Sequence, residues 1–458
     1  MNTTFLGIDI GSTQICAIIA EKNDTGVKVL GAGVSKSQGL KKGVITNIEL
    51  ASKSIKAALA DASRVAGTHY EKVIVSISGA YTKSVDSSGV VNVPNHDIGI
   101  KEISRAMQMA DHNANIPNEY DKLHVLPYNF KVDDQELIED PLGMNGSRLE
   151  VLVHIVTAQK SSLSNLKKAV KSAGVDIDNI VLAGYASAIS TINNDEKELG
   201  VALIDLGGAT CNTVIHSGNS IRYNDFLGVG SANITNDLSM ALHTPLPAAE
   251  EVKINYGSLQ SSSNELIELP VLGEENSTHE VSLDIISNVI YARVEETLMI
   301  LSKIIEDSGY KEQIGAGVVL TGGLTKLEGI RELSTAIFDN MPVRLAKPRE
   351  MEGLFETLRD PGYATALGLI LYGAGEFTPY EIDSNKNMRY KNERIETKRG
   401  AIHSPLDSSE SLKLDDIEEN LQTNTSTKEK LAKIADISSE EKSESKLTKL
   451  WHQLTQIF

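Results

Sequence analysis

Apolar residues fall along this chain in two rhythms. Continuous runs of strand length at residues 5–10 (Phe-Leu-Gly-Ile-Asp-Ile) and 201–206 (Val-Ala-Leu-Ile-Asp-Leu) read as buried sheet strands. Residues 16–21 and 27–34 continue as strands around the turn Asn23-Asp24-Thr25-Gly26, which predicts an opening β-meander. Ile48, Ala51, Ile55, Ala58, Leu59 and Ala62 recur at helical spacing and predict a helix over 48–66, closed by Gly67 and followed by a strand at 73–77. From 85 to 160 the rhythm changes. Strands at 90–93, 123–132 and 149–157 with a helix at 103–110 predict a small α+β insert. Helices follow at 164–173, stopped by Gly174, and at 180–193. Beyond residue 206 the pattern predicts helices at 237–242 and 248–257, a hairpin from runs 266–271 and 279–283, and a long helix over 282–306. A further strand ends at Thr321-Gly322-Gly323, and a last helix covers 363–372.

Three of these strands end in glycine loops: Asp9-Ile10-Gly11-Ser12-Thr13, Asp205-Leu206-Gly207-Gly208-Ala209-Thr210 and Thr321-Gly322-Gly323. Asp-x-Gly at a strand end lets the chain turn tightly without a Cβ, and successive N–H groups in such a turn make a concavity for phosphate oxygens. A single copy means little, because many strands end in glycine turns. Two copies separated by almost half the chain, with a third glycine loop behind them, describe a nucleotide cleft built by two similar halves. Asp9 and Asp205 are expected to face one Mg²⁺ through its waters, since that ion gives up its hydration shell reluctantly.

Composition narrows the partners. At 458 residues the chain exceeds one hydrophobic core. A formal charge of −18 argues against nucleic acid, which demands a basic face. The two cysteines, Cys16 and Cys211, make no disulfide framework and read as small buried hydrophobes in a reduced, cytosolic setting. The first residues lack a basic, apolar secretion signal, and no run reaches the ~20 apolar residues that span a bilayer.

Near Glu376 the chain turns rich in Asn, Ser, Lys and Glu, predicting a disordered linker over 376–445. At about 5–6 Å × √n, its roughly 70 residues span about 50 Å. Residues 446–458 then place Leu447, Leu450, Trp451, Leu454, Ile457 and Phe458 on one helical arc, with Lys446, Lys449 and His452 beside it. This is the pattern of a helix lying in a headgroup layer. The alternative is a helix docked on the protein's own core, and the long polar tether argues against it. One short helix binds weakly, but many copies on a polymer bind well by avidity.

The insert carries the decisive resemblance. Leu126-Pro127-Tyr128-Asn129-Phe130-Lys131-Val132, Asp140-Pro141-Leu142-Gly143-Met144-Asn145-Gly146-Ser147-Arg148-Leu149, Ser78-Gly79-Ala80-Tyr81 and the terminal amphipathic run together resemble the bacterial cell-division FtsA family. The resemblance implies an α/β, actin/Hsp70-like two-domain ATP-binding fold with an inserted subdomain, a disordered linker and a terminal amphipathic helix. Its divisions would be 1–84 and 161–199 for the first half, 85–160 for the insert, 200–230 and 307–375 for the second half, and 231–306 for that half's outer subdomain. It also implies ATP with Mg, self-assembly into filaments, and tethering of the tubulin-like division protein FtsZ to the cytoplasmic face of the inner membrane, with later division proteins recruited there.

By motif, Gly11, Ser12 and Thr13 match the first phosphate loop, Gly207, Gly208 and Ala209 the second, and Gly322 and Gly323 the adenosine-side loop. Glu250 and Lys253 match the helix that contacts ribose and base; by spacing alone they are an i,i+3 ion pair. Arg293 and Lys303 on the long helix are candidates to meet the acidic tail of FtsZ, although solvated helix charges also fit. Actin-like ATPases position water with a Gln or Glu where this chain has Leu182-Ala183-Gly184-Tyr185-Ala186-Ser187, so turnover is expected to be slow or absent. A type IV pilus scaffold shares the body but not the Pro-Leu-Gly-Met-Asn-Gly-Ser-Arg-Leu stretch. A sugar kinase needs a carboxylate base in the cleft and has no use for a tethered terminal helix.

Overall fold

The computed structural model describes residues 3–24, 26–218, 220–260, 263–274 and 277–390. The terminal helix expected at 446–458, with Leu447, Leu450, Trp451, Leu454, Ile457 and Phe458, lies outside them, as does the linker from residue 391.

Strands β1 (Thr3–Ile10), β2 (Gln14–Asn23) and β3 (Gly26–Lys36) form the expected antiparallel meander. A short hairpin, β4 (Leu40–Lys41) with β5 (Val44–Ile45), leads into α1 (Ile48–Ala66), where the Asn47 side chain caps the helix by accepting from the Leu50 N–H. Helix α1 lies so close to β3 that a Cβ on Gly33 would stand 2.2 Å from the Ala58 carbonyl oxygen. Strand β6 (Lys72–Ile77) then joins β1 in parallel.

The chain leaves this sheet to build the insert from β7 (Thr82–Asn92), α2 (Ile100–Asn113), β8 (Tyr120–Val132), β9 (Gln135–Ile138) and β10 (Arg148–Gln159). These strands make one antiparallel sheet in the order β7-β10-β8-β9. Ile103 and Met107 of α2 pack with Val151, Val153 and Ile155 of β10 in a core of their own. Helix α3 (Lys160–Ser172) returns, and β11 (Asn179–Leu182) pairs in parallel with β6 to complete the first sheet.

The second half repeats the plan. After α4 (Ala183–Thr191) and α5 (Asn194–Leu199) come β12 (Val201–Leu206), β13 (Cys211–Ser217) and β14 (Ser220–Leu227), another antiparallel meander. Helices α6 (Ser231–Ala241) and α7 (Leu246–Tyr256), the hairpin β15 (Leu266–Pro270) with β16 (Thr278–Ser282), and α8 (Leu283–Asp307) follow. The chain then runs through β17 (Val318–Thr321), α9 (Ile330–Ile337), β18 (Val343–Leu345) and α10 (Ala364–Gly373). Sheet order β14-β13-β12-β17-β18 matches β3-β2-β1-β6-β11 strand for strand: a meander, then two parallel strands. Both Asp-x-Gly loops therefore leave equivalent central strands.

Besides early starts of β7 at Thr82 (expected at 90) and α6 at Ser231 (expected at 237), two larger expectations differ from the structure. Residues 180–182 belong to β11, not to the helix expected over 180–193. Helix α4 is buried on every side, so its apolar run merges with that of the strand and no amphipathic break marks the join. Residues 377–390, expected to open the linker, instead pack as a strap over the first half. Ile382 exchanges backbone hydrogen bonds with Val125 of β8, Asp383 accepts from Asn179 at 2.9 Å, and the Tyr380 hydroxyl donates to Asp140 at 2.7 Å.

At the centre of this contact Glu381 is fully buried and accepts hydrogen bonds from the hydroxyls of Tyr185 (2.9 Å) and Tyr372. The Arg389 guanidinium lies 4.1 Å from the Tyr372 ring centroid and 4.0 Å from that of Phe377. Burial pushes the Glu381 carboxyl up to about 7, partly countered by the charge of Arg389. Glu381→Ala would orphan the buried Tyr372 hydroxyl at about 1–3 kcal/mol, leave a cavity beside it, and reduce Tyr185 to its bonds with Thr378. A melting temperature lowered by several degrees is expected, and an unchanged one would refute the strap's structural role.

Candidate functional site

The three glycine loops meet. A Cβ on Gly208 would stand 2.1 Å from Thr13 Cγ2, so the second phosphate loop rests directly on the first. Gly11 and Gly207 are equivalent turns: in each, a Cβ would lie 2.7 Å from the carbonyl oxygen three residues on, of Gln14 and Thr210 respectively. Gly322 closes the third side, where a Cβ would sit 2.5 Å from Asp205 Oδ1. Gly323 faces open space.

Each strand-end aspartate is held by hydroxyls. Ser76 on β6 donates to Asp9 Oδ1 at 2.8 Å and accepts from the Ile10 N–H at 2.9 Å. Asp205 Oδ2 accepts from Ser187 of α4 at 2.6 Å and from Thr365 of α10 at 3.2 Å. Burial, and then the charge of Asp205, push the Asp9 carboxyl up to about 7 against the Ser76 hydrogen bond. Asp205 is likewise raised, first by burial. Asp9 thus feels the charge of Asp205, and among the described residues neither carboxylate has an ion-pair partner. Among the described residues no group of three His, Cys, Asp or Glu side chains could hold a metal ion. A divalent cation here would depend on phosphate oxygens and its own water, which is what Mg²⁺ tolerates. The residues fit that role.

Sequence reasoning missed Ser76, Ser187, Thr365 and Gly230. Gly230 sits beneath the second loop, where a Cβ would stand 2.6 Å from the Gly207 carbonyl oxygen, and the next two N–H groups bond the Gly207 and Gly208 carbonyls. The Gly228-Val229-Gly230 run ahead of α6 was its available signal. Gly79 of the motif Ser78-Gly79-Ala80-Tyr81 donates its N–H to Asn212 Oδ1 at 2.9 Å, tying the first half to the second.

Glu250 and Lys253 of α7 form the ion pair that their spacing suggests, at 2.7 Å, and Thr235 hydrogen-bonds both. Burial raises the Glu250 carboxyl, but hydrogen bonds from Lys253 and Thr235 and the charges of Lys253 and Lys36 outweigh it, so the net shift is downward. Lys36 belongs to the first half, which brings α7 to the opening between the halves. On α8, Arg293 is engaged by Asp237 (2.5 Å) and Glu296 (2.5 Å), whereas Lys303 has an exposed i,i+4 partner, Asp307. Met240, Ile254, Ile285 and Met299 are half exposed or more on the same subdomain. Cys16 and Cys211 are buried and free, with thiols raised first by burial.

Comparison with known proteins agrees with this geometry. Residues 202–368 match the family model "Cell division protein FtsA", and residues 79–157 match "SHS2 domain inserted in FTSA". The cell division protein FtsA of Helicobacter pylori strain J99 is 44% identical, over 84% of this chain and 85% of its own. The chain belongs to the FtsA family. FtsA of Pseudomonas aeruginosa is 38% identical over 80% of this chain and 88% of its own. Among solved structures, a PilM-PilN type IV pilus biogenesis complex aligns with TM-score 0.57 at 19% identity, over 81% of this chain and 98% of that one. MreB5 of Spiroplasma citri bound to ADP aligns at 0.50 and 14%, over 81% and 96%. These likenesses establish an actin-like fold. FtsA-family membership, with its inserted domain, makes this an actin-like protein of cell division. Among the described residues no helix is long and apolar enough to cross a membrane.

Asp9→Asn is expected to separate stability from binding. A carboxyl whose folded pKa is raised from 3.8 to about 7 adds stability below pH ~4 that is lost as pH rises towards 7, so removing the ionisable group should stabilise the unliganded protein at pH 8. The same change should weaken Mg-nucleotide binding at least tenfold. Thermal melts and nucleotide titrations at pH 6 and 8 check both, and equal affinity in the two proteins would refute the assignment.

Proposed function

We propose that this FtsA-family protein binds ATP with Mg between its halves, polymerises on the cytoplasmic face of the inner membrane, and tethers the FtsZ ring there through its terminal amphipathic helix, helping to recruit later division proteins. The observation that carries the reading is the meeting of the three glycine loops around Asp9 and Asp205, in a chain whose relatives are cell division proteins. In that cleft the N–H groups of Gly11, Ser12, Thr13, Gly207, Gly208 and Ala209 would hold phosphates, Asp9 and Asp205 would orient the water of Mg, and Glu250, Lys253, Gly322 and Gly323 would border the nucleoside.

Hydrolysis is slow or absent in this account. The segment from Leu182 to Ser187 offers no carboxylate or amide to orient water, and Gly184 lies against Val214 and Asn212. ATP then serves mainly to hold the two halves in one arrangement. The outer subdomain, residues 231–306, is the proposed receptor for the FtsZ tail. Its half-exposed apolar side chains support a docking role, and Lys303 is freer than Arg293 to meet a carboxylate.

A fluorescent fusion expressed in dividing cells tests the whole. The full chain should form a midcell band that disappears when FtsZ is depleted. A diffuse signal with FtsZ rings intact would overturn the reading.

A further inference from the structure

Helix α3, KSSLSNLKKAVKS, holds four lysines and no acid in a chain of net charge −18. Lys160, Lys167, Lys168 and Lys171 recur at helical spacing along one side and line a groove of about 310 Å³ with Asp121. All four are exposed. Lys160 donates to the Asn118 carbonyl at 2.7 Å; among the described residues Lys167, Lys168 and Lys171 form no ion pair or side-chain hydrogen bond, and Asp121 is the sole acid lining the groove. The apolar side of the helix, with Leu163, Leu166, Ala169 and Val170, is spent on the core. Lys167, Lys168 and Lys171 therefore serve no internal pairing among the described residues, while their mutual repulsion remains.

Two further facts bear on what meets them. A body this acidic is repelled by an anionic bilayer and can approach it only by a face where positive charge is gathered. The strap packs against the start of β11, the strand that follows α3: Asn385 donates to the Asp178 carbonyl oxygen, and Ser384 accepts from the Ile180 N–H at 2.9 Å. The strap thus rests on the segment that follows α3 in the chain, so this side of the body is held rigidly beneath the lysines' helix.

We propose that α3 is a second, electrostatic membrane contact, with Lys160, Lys167, Lys168 and Lys171 facing the anionic headgroups of the bilayer. This rests on the membrane reading above and adds an orientation to it. The terminal helix supplies attachment; α3 selects anionic lipid and turns one face of the body to the surface.

The test is co-sedimentation of the full chain with vesicles of phosphatidylcholine alone or mixed with phosphatidylglycerol, at low and high salt. Each lysine near an anionic surface contributes about fivefold in affinity. A triple variant, Lys167→Gln, Lys168→Gln and Lys171→Gln, should lose tenfold or more on the mixed vesicles at low salt and nothing on phosphatidylcholine. A control with the same charge change elsewhere, Lys28→Gln, Lys101→Gln and Lys131→Gln, should bind like the parent. If the α3 variant binds mixed vesicles like the parent, or the control falls equally, the proposal is wrong. A chain ending at Ser445 separates the two readings. If it pellets as well as the full chain, the terminal anchor fails, while the lysine comparison within it still decides the role of α3.

Discussion

Gly322→Ala is expected to abolish tight nucleotide binding. Its backbone sits at φ 90°, a region that L side chains rarely adopt, and the added Cβ would lie 2.5 Å from both Asp205 Oδ1 and the Leu206 carbonyl oxygen. Relief can come only by moving the third loop away or by pushing Asp205 off the Ser187 and Thr365 hydroxyls that hold it. Either shift misplaces a buried carboxylate at the point where the halves share their ligand. Affinity for a fluorescent ATP analogue with Mg should fall at least tenfold, with a lower melting temperature. Gly323→Ala, whose Cβ meets no atom within 4 Å, should leave the melting temperature unchanged. Parental affinity and stability in Gly322→Ala would contradict the account of the cleft.

Gly368→Ala should damage both fold and site. Helices α4 and α10 cross so closely that a Cβ at Gly368 would stand 1.8 Å from the Ala186 carbonyl oxygen and 2.4 Å from its carbon. Those are backbone atoms inside a buried helix and cannot step aside singly. Overpacking of this kind costs about 1–3 kcal/mol or more, and the roughly 1 kcal/mol gained from helix propensity offsets only part. The same two helices carry Ser187 and Thr365, whose hydroxyls lie 2.8 Å apart and both bond Asp205. Parting the helices opens that bracket. A drop of several degrees in melting temperature, together with a smaller stabilising shift on adding ATP and Mg, is expected. A normal shift in a destabilised protein would show that the crossing and the site are independent.

Much of this was readable because it is local. The apolar runs before Gly11 and Gly207 are continuous and end in loops their own residues dictate, so β1, β12 and both phosphate turns were legible. Helix α1 shows one apolar face and a capping glycine, and its bounds match the expectation of 48–66. The long helix α8 was equally plain. What escaped the sequence depends on distant partners. Ser76, Ser187 and Thr365 are ordinary hydroxyls until three separate elements bring them to Asp9 and Asp205. The strap over 377–390 is polar enough to look disordered, yet Glu381, Asp383 and Arg389 find partners on β11, α4 and α10. Strand β11 was hidden by the uniformly apolar helix that follows it. Glu250 and Lys253 were legible as a pair, but not the Thr235 hydroxyl that binds both.

The measurement that reaches the central claim most directly is co-sedimentation of purified FtsZ with lipid vesicles, ATP and this protein, comparing the full chain with one ending at Ser445. The account predicts that the full chain carries FtsZ down with the lipid and that the shortened chain leaves it in solution. Vesicles that pellet the full chain while FtsZ stays behind would contradict the tethering role, and equal pelleting of both chains would contradict the terminal anchor.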